Sequence, residues 1–216
     1  VGHLLDALRD HPRIQGNCLT IFTCDHGGAE MSTVGESGVH LQQGFATLWE
    51  GGLRIPVVMH WPGVLQPPPS GGVVSTPAIM MDLTVTLLEL AGLDNSQLDG
   101  VSLLPQIDRA IYGTNASTTK PYLPGTGGGG PMVGATGVED SETQDRVFYW
   151  RLNLPPSAAW ASGQRRAVRR GRWKYLWDGG FGYLFDLIDD PAETVNVYSR
   201  HETLARELEA LSLTDW

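Results

Sequence analysis

The sequence predicts an α/β fold that ends in a small antiparallel sheet with one helix, and three observations carry that expectation. Residues 19–23, with Leu19, Ile21 and Phe22 alongside the β-branched Thr20 and Thr23, form a run of strand formers that stops abruptly at Asp25-His26-Gly27-Gly28. Open α/β folds gather their polar chemistry at such strand ends. Residues 76–90 repeat Ile79, Leu83, Leu87 and Leu90 at helical spacing. Short aromatic, β-prone runs at 147–152, 166–177 and 182–187 then precede a last leucine-spaced helix at 202–211.

Composition sets the outer limits. With 41% hydrophobic and 18% charged residues the 216-residue chain has the means for a core, and wholesale disorder is not expected. A formal net charge of −9 argues against a nucleic-acid partner, which calls for a basic face. An anionic substrate would have to be drawn in by a local positive site. No run approaches the roughly 18 apolar residues of a membrane span, and no basic-then-apolar leader opens the sequence. Cys18 and Cys24 lie six residues apart on one expected strand, too far to bridge each other at about 3.3 Å per residue. Asn115-Ala116-Ser117 is a formal glycosylation sequon of a kind common by chance.

Taken in order, residues 1–9 place Leu4, Leu5 and Leu8 on a helix that Pro12 ends. The first residue is not Met and no side chain caps this helix, so the chain is expected to begin within a domain. The buried strand 19–23 follows. Residues 29–45, polar and without a period, read as a loop over the strand end that carries His40. Gly51-Gly52 makes a tight turn flanked by Glu50 and Arg54, read as structural charges, and 55–61 is a second buried strand stopped by Pro62-Gly63. Thr76 is placed to cap the following helix with Pro77 in its first turn, and Gly92 to end it.

From 112 to 146 the sequence turns to Gly, Ser, Thr and Pro, with four consecutive glycines at 127–130, and is expected to form a surface insertion. No Gly-Lys-Ser/Thr follows those glycines, which excludes a phosphate-binding loop. Regular structure returns with Arg169-Arg170-Gly171-Arg172-Trp173-Lys174-Tyr175, read as a hairpin whose basic residues line the solvated side of an edge strand. Three regions result: 1–111, the flexible 112–146, and the antiparallel-sheet subdomain 147–216.

The chemistry concentrates at the first strand's end. Asp25 and His26 offer an oxygen and a nitrogen to one small volume, and the two glycines let the backbone turn away without a Cβ. A hard carboxylate beside an imidazole suits a divalent cation. The tetrad alone also fits a plain turn that caps the next element.

The company it keeps carries a resemblance. Cys18-Leu19-Thr20-Ile21-Phe22-Thr23-Cys24-Asp25-His26-Gly27-Gly28 is followed by Thr47-Leu48-Trp49-Glu50-Gly51-Gly52-Leu53-Arg54-Ile55-Pro56 and Trp61-Pro62-Gly63. In this the chain resembles the sulfatase family of the alkaline-phosphatase-like hydrolases, which has these pieces in this order. Asp99-Gly100-Val101-Ser102-Leu103-Leu104-Pro105 resembles the loop after the corresponding helix. The Arg169 to Tyr175 run, with Leu184-Phe185-Asp186-Leu187 and Asp190-Pro191-Ala192-Glu193 after it, resembles that family's small C-terminal subdomain.

The resemblance implies the C-terminal part of an alkaline-phosphatase-like sulfatase domain, acting on a small-molecule or glycan sulfate ester. It implies Asp25 and His26 as ligands of a divalent metal, calcium, and His40 as a catalytic residue near the sulfate. The formylglycine nucleophile made from Cys/Ser-x-Pro-x-Arg would lie in a segment preceding residue 1, since the chain has no such run, and the 216 residues alone are expected to be inactive. A phosphodiester or phosphonate monoester hydrolase of the same superfamily is the alternative enzyme. An inactive, truncated interaction module is the alternative outside enzymes. One departure stands out: the family's lysine five residues before the Glu of Glu-Gly-Gly is Phe45 here, and no Lys or Arg lies between Arg13 and Arg54.

Overall fold

A computed structural model describes residues 1–14, 17–28, 32–34, 40–66, 72–112, 146–154 and 163–214. Of the insertion read at 112–146, residues 113–145 lie outside the described residues. Contacts divide the chain into two compact units, residues 1–21 with 59–143 and residues 22–58 with 144–216. The Asp25 loop thus falls in the same unit as the last sheet.

In the first unit, α1 (Gly2–Asp10) carries no buried residue. Helix α3 (Met80–Leu90) begins at Met80, three residues later than a cap at Thr76 would place it. Asp82 explains the start. Its Oδ2 accepts the Ile79 N–H at 2.8 Å, satisfying a donor that the helix itself leaves free. Its Oδ1 accepts the Val101 N–H at 2.9 Å. The buried face is accordingly Asp82, Leu83, Val85 and Thr86, whereas Leu87 of the expected stripe is 43% exposed. Thr86 Oγ1 donates to Asp82 O at 2.6 Å and accepts the Leu103 N–H at 2.9 Å, which anchors the start of α4 (Leu104–Tyr112). That helix escaped the sequence reading because Pro105 looks like a breaker, yet proline is at home in a first turn. The C-terminus of α3 follows expectation: Gly92 N–H bonds Glu89 O and Leu93 N–H bonds Leu88 O, a Schellman pair.

Strands β1 (Thr20–Thr23) and β4 (Val57–His60) form a two-stranded sheet. Both were expected to be buried. They are not fully so: Phe22 is 46% exposed and Val58 57%.

In the second unit, part of the expected loop 29–45 forms an antiparallel hairpin of β2 (Ser32–Val34) and β3 (His40–Gln42), with Val34 opposite His40. The one-turn α2 (Glu50–Leu53) follows. The C-terminal sheet runs in the order β5 (Val147–Leu154), β6 (Gly163–Arg170), β7 (Trp173–Asp178), β8 (Phe181–Asp186), antiparallel throughout. Gly179 and Gly180, both at positive φ, make the two-residue turn from β7 to β8 whose twist matches the strands. Helix α5 (Glu202–Leu213) buries Ala205 and Leu208 against Val168, Tyr175 and Leu184 on one face. The opposite face packs Ala167, Leu176, Phe185 and Leu187 on Leu48 and Trp49. Strands β6 and β7 are therefore interior, and the expected solvated basic edge is corrected: Lys174 is fully buried.

Candidate active site

The chain leaves β1 at Thr23 and turns at Asp25 to Gly28. His26 N–H donates to Asp25 Oδ1 at 3.1 Å, which closes the turn. The imidazole Nδ1 lies 2.8 Å from the Gly27 carbonyl oxygen. A carbonyl only accepts, so Nδ1 carries the proton, and Nε2 is the free ligand atom of the neutral ring. Nε2 faces Asp25 Oδ2 at 3.6 Å. The structure thus brings the two predicted residues together at one end of the turn, with the Asp25 side chain 87% exposed and that of His26 45%.

These residues fit a hard or borderline divalent cation as two members of its ligand set. Two donor atoms 3.6 Å apart both reach an ion at the 2.3–2.6 Å typical of oxygen-ligated calcium. A ligating histidine ordinarily donates its other ring N–H to a carbonyl or carboxylate, and here Gly27 O fills that place. Among the described residues no group of three His, Cys, Asp or Glu side chains converges, so further ligands would have to come from elsewhere.

Phe45 stands beside this pair. Its ring centroid is 4.4 Å from that of His26 at a 44° tilt, its N–H donates to Gly28 O at 2.8 Å, and it is 51% exposed. The place where the family's lysine is expected therefore holds a half-exposed aromatic ring against the imidazole. His40 opens β3, but its side chain lies outside what the structure describes.

The glycines are fixed by crowding. Gly27 N–H donates to Gly52 O at 2.9 Å, and a Cβ on Gly27 would stand 1.8 Å from Gly51 O. A Cβ on Gly51 would stand 2.2 Å from Gln43 O. Backbone here meets backbone, so the Gly51-Gly52 turn is a floor on which the Asp25 loop rests.

That floor has a charged underside which sequence reading missed. Lys174 Nζ donates to Glu50 Oε1 at 2.8 Å, and Glu193 Oε1 lies 2.8 Å from the same nitrogen, off the direction of a hydrogen bond. Glu193 Oε2 accepts the Glu50 N–H at 2.6 Å, while its backbone sits at φ 56 and its carbonyl accepts Gln42 Nε2 at 3.2 Å. Burial pushes the Glu50 carboxyl up, but Lys174, helped by Arg169 and Arg54, outweighs it and holds the group below its usual range. Glu193 goes the other way, pushed up by burial and then by the Glu50 charge against the pull of Lys174. The signal in the sequence was a lysine flanked by Trp173 and Tyr175 in a strand whose alternation turns it inward. Glu50 and Arg54 do not pair side chain to side chain; Arg54 N–H instead donates to Glu50 O at 2.7 Å.

Known proteins share this architecture. The crystal structure of Ps i-CgsB in complex with k-i-k-neocarrahexaose superposes with a TM-score of 0.65 at 24% identity, over 98% of this chain and 40% of that one. The phosphonate monoester hydrolase of Agrobacterium radiobacter does so with a TM-score of 0.56 at 24% identity, over 97% and 36%. The fold is that of the alkaline-phosphatase-like sulfatases. The family model described as Sulfatase matches residues 1–93, and human arylsulfatase D is 30% identical over 206 residues, 89% of this chain and 32% of that protein. The chain is thus similar to the sulfatase family over most of its length, and it spans about a third of the length of the curated relatives it matches. Among the described residues no helix is long and apolar enough to cross a membrane.

Proposed function

We propose that this chain supplies part of the cation site of a sulfuric ester hydrolase, with Asp25 and His26 as two ligands of a divalent metal, calcium. The observation that supports it is the 3.6 Å approach of Nε2 and Oδ2, with Nδ1 already committed to Gly27 O. Asp25 contributes charge, and His26 contributes a neutral nitrogen whose direction is fixed by its own neighbour's carbonyl. A bound cation would offset charge on a sulfate oxygen and on the attacking group. His40 is proposed to meet the sulfate from β3. Phe45 excludes water from one side of His26 and offers an apolar surface where a cationic donor would otherwise sit. The nucleophile must come from residues outside the 216, since none of them forms the required Cys/Ser-x-Pro-x-Arg run. The substrate class is a small-molecule or glycan sulfate ester.

The test is an assay of the full-length protein with an aryl sulfate and an aryl phosphodiester side by side. Turnover of the sulfate, lost in Asp25→Ala, is the expected result. Preference for the diester would reassign the reaction within the superfamily. No turnover of either, despite an intact nucleophile segment, would favour an interaction module.

A further inference from the structure

We infer that Lys174 is a positioning residue for the Asp25–His26 pair, holding the His26 imidazole in its Nδ1–H form through Glu50, the α2 turn and the Gly27 peptide. A fully buried lysine is not a simple stabilising device: a well-packed apolar side chain generally does as well or better. What the ammonium gains here is reach. Its partners belong to two segments distant in sequence, Glu50 at the start of α2 and Glu193 in the loop after β8. Glu193 also accepts the Glu50 N–H, so backbone and side chain of Glu50 are clamped together.

From Glu50 the chain of contacts to the imidazole is short. Helix α2 is a single turn closed by Arg54 N–H on Glu50 O, and its Gly52 carbonyl accepts the Gly27 N–H at 2.9 Å. The Gly27 carbonyl, on the other side of that residue, accepts His26 Nδ1 at 2.8 Å. Both polar groups of Gly27 are thereby fixed. The approach of Gly27 to Gly51 leaves no space for slack, so a shift of α2 moves the carbonyl that selects the tautomer. In the other tautomer Nε2 would carry a proton toward Asp25 and could not bind a cation. The purpose assigned to this chain of contacts rests on the reading of Asp25 and His26 as cation ligands; the chain of contacts itself does not.

The experiment reads the ring nitrogens of His26 by long-range 1H–15N correlation in the 216-residue chain labelled with 15N-histidine. The His26 signals are assigned by their loss in His26→Gln. Wild type should show one protonated and one lone-pair nitrogen. Lys174→Met should show averaged shifts from tautomer exchange. The comparison is Leu208→Ala, which opens the core on the α5 side of the sheet and should lower stability while leaving His26 unchanged. Should Lys174→Met fail to fold, Glu193→Asn replaces it, because asparagine suits the positive φ and is too short to reach Glu50 N–H or Lys174. Wild-type His26 shifts in either Lys174→Met or Glu193→Asn would overturn the inference. A separate Mn2+ titration of the full-length protein, its histidines labelled in the same way, addresses the cation reading alone: His26 signals should broaden, and undisturbed signals would remove that reading without touching the tautomer result.

Discussion

At the residue scale, Lys174, Glu50 and Glu193 hold their charges away from water. Lys174 has no solvent to fall back on, so Lys174→Met strands two carboxylates in the core and should cost about 3–5 kcal/mol, measured by urea unfolding. The two carboxylates then predict opposite pH slopes. Glu50 has a folded pKa below its ordinary 4.5, so its contribution is complete above that value and is lost as pH falls through the folded one. Glu193 has a folded pKa above 4.5, so its contribution is complete below that value and is lost as pH rises. Urea midpoints across pH should show the gap between wild type and Glu50→Gln narrowing on acidification, and that for Glu193→Gln narrowing on alkalinisation. Slopes of the same sign would refute the division of charge between them. Phe45 makes a further residue-scale prediction. In the full-length protein Phe45→Lys should raise aryl sulfate turnover, because one preorganised cationic donor is worth about 10²–10³ in rate. Insertion of Lys between Phe45 and Ala46 restores the family spacing to Glu50 while keeping the ring on His26. Rescue by the insertion alone would show that a residue had been lost; no change with either would show that the cation comes from another segment.

At the element scale, the site is a strand end resting on a glycine turn, and its sharpest test is steric. Gly27→Ala places a methyl 1.8 Å from Gly51 O, where only backbone movement can make room. It should lower the melting temperature and abolish cation binding together, in contrast to Gly179→Ala, whose added methyl meets nothing within 4 Å and whose cost is confined to its positive φ. The strand ending at Asp25-His26, the hairpin around Gly171 and the last helix could be read because period, turn glycines and polar punctuation agree locally. The start of α3 could not, since Asp82 caps it from inside the helix and Thr76 only looks like a cap. The hairpin β2–β3 lacks hydrophobic alternation, so nothing in its sequence announces it. The Lys174 clamp joins residues 124 positions apart, a separation that no local pattern encodes. His26 was legible as a ligand type, but its tautomer depends on Gly27 O and so on the fold.

At the scale of the whole molecule, the contact division explains why a C-terminal sheet belongs in an account of the Asp25 loop. Residues 22–58 fold with 144–216, so Leu48, Trp49 and Glu50 close one face of the sheet while their backbone carries the site. Trp49 Nε1 donates to Asp178 Oδ2 at 2.9 Å and Arg165 donates to both Asp178 Oδ1 and Ala46 O, ties that span the same unit. The central claim is that Asp25 and His26 hold a divalent cation that a sulfate ester hydrolase needs. It is tested most directly by measuring metal content and aryl sulfate turnover together in the full-length protein, for wild type, Asp25→Asn and His26→Gln. The account predicts that both substitutions reduce bound calcium and lower turnover by at least about 10²-fold, the scale of removing one preorganised charge-stabilising group. Wild-type calcium content and wild-type turnover in both variants would contradict it.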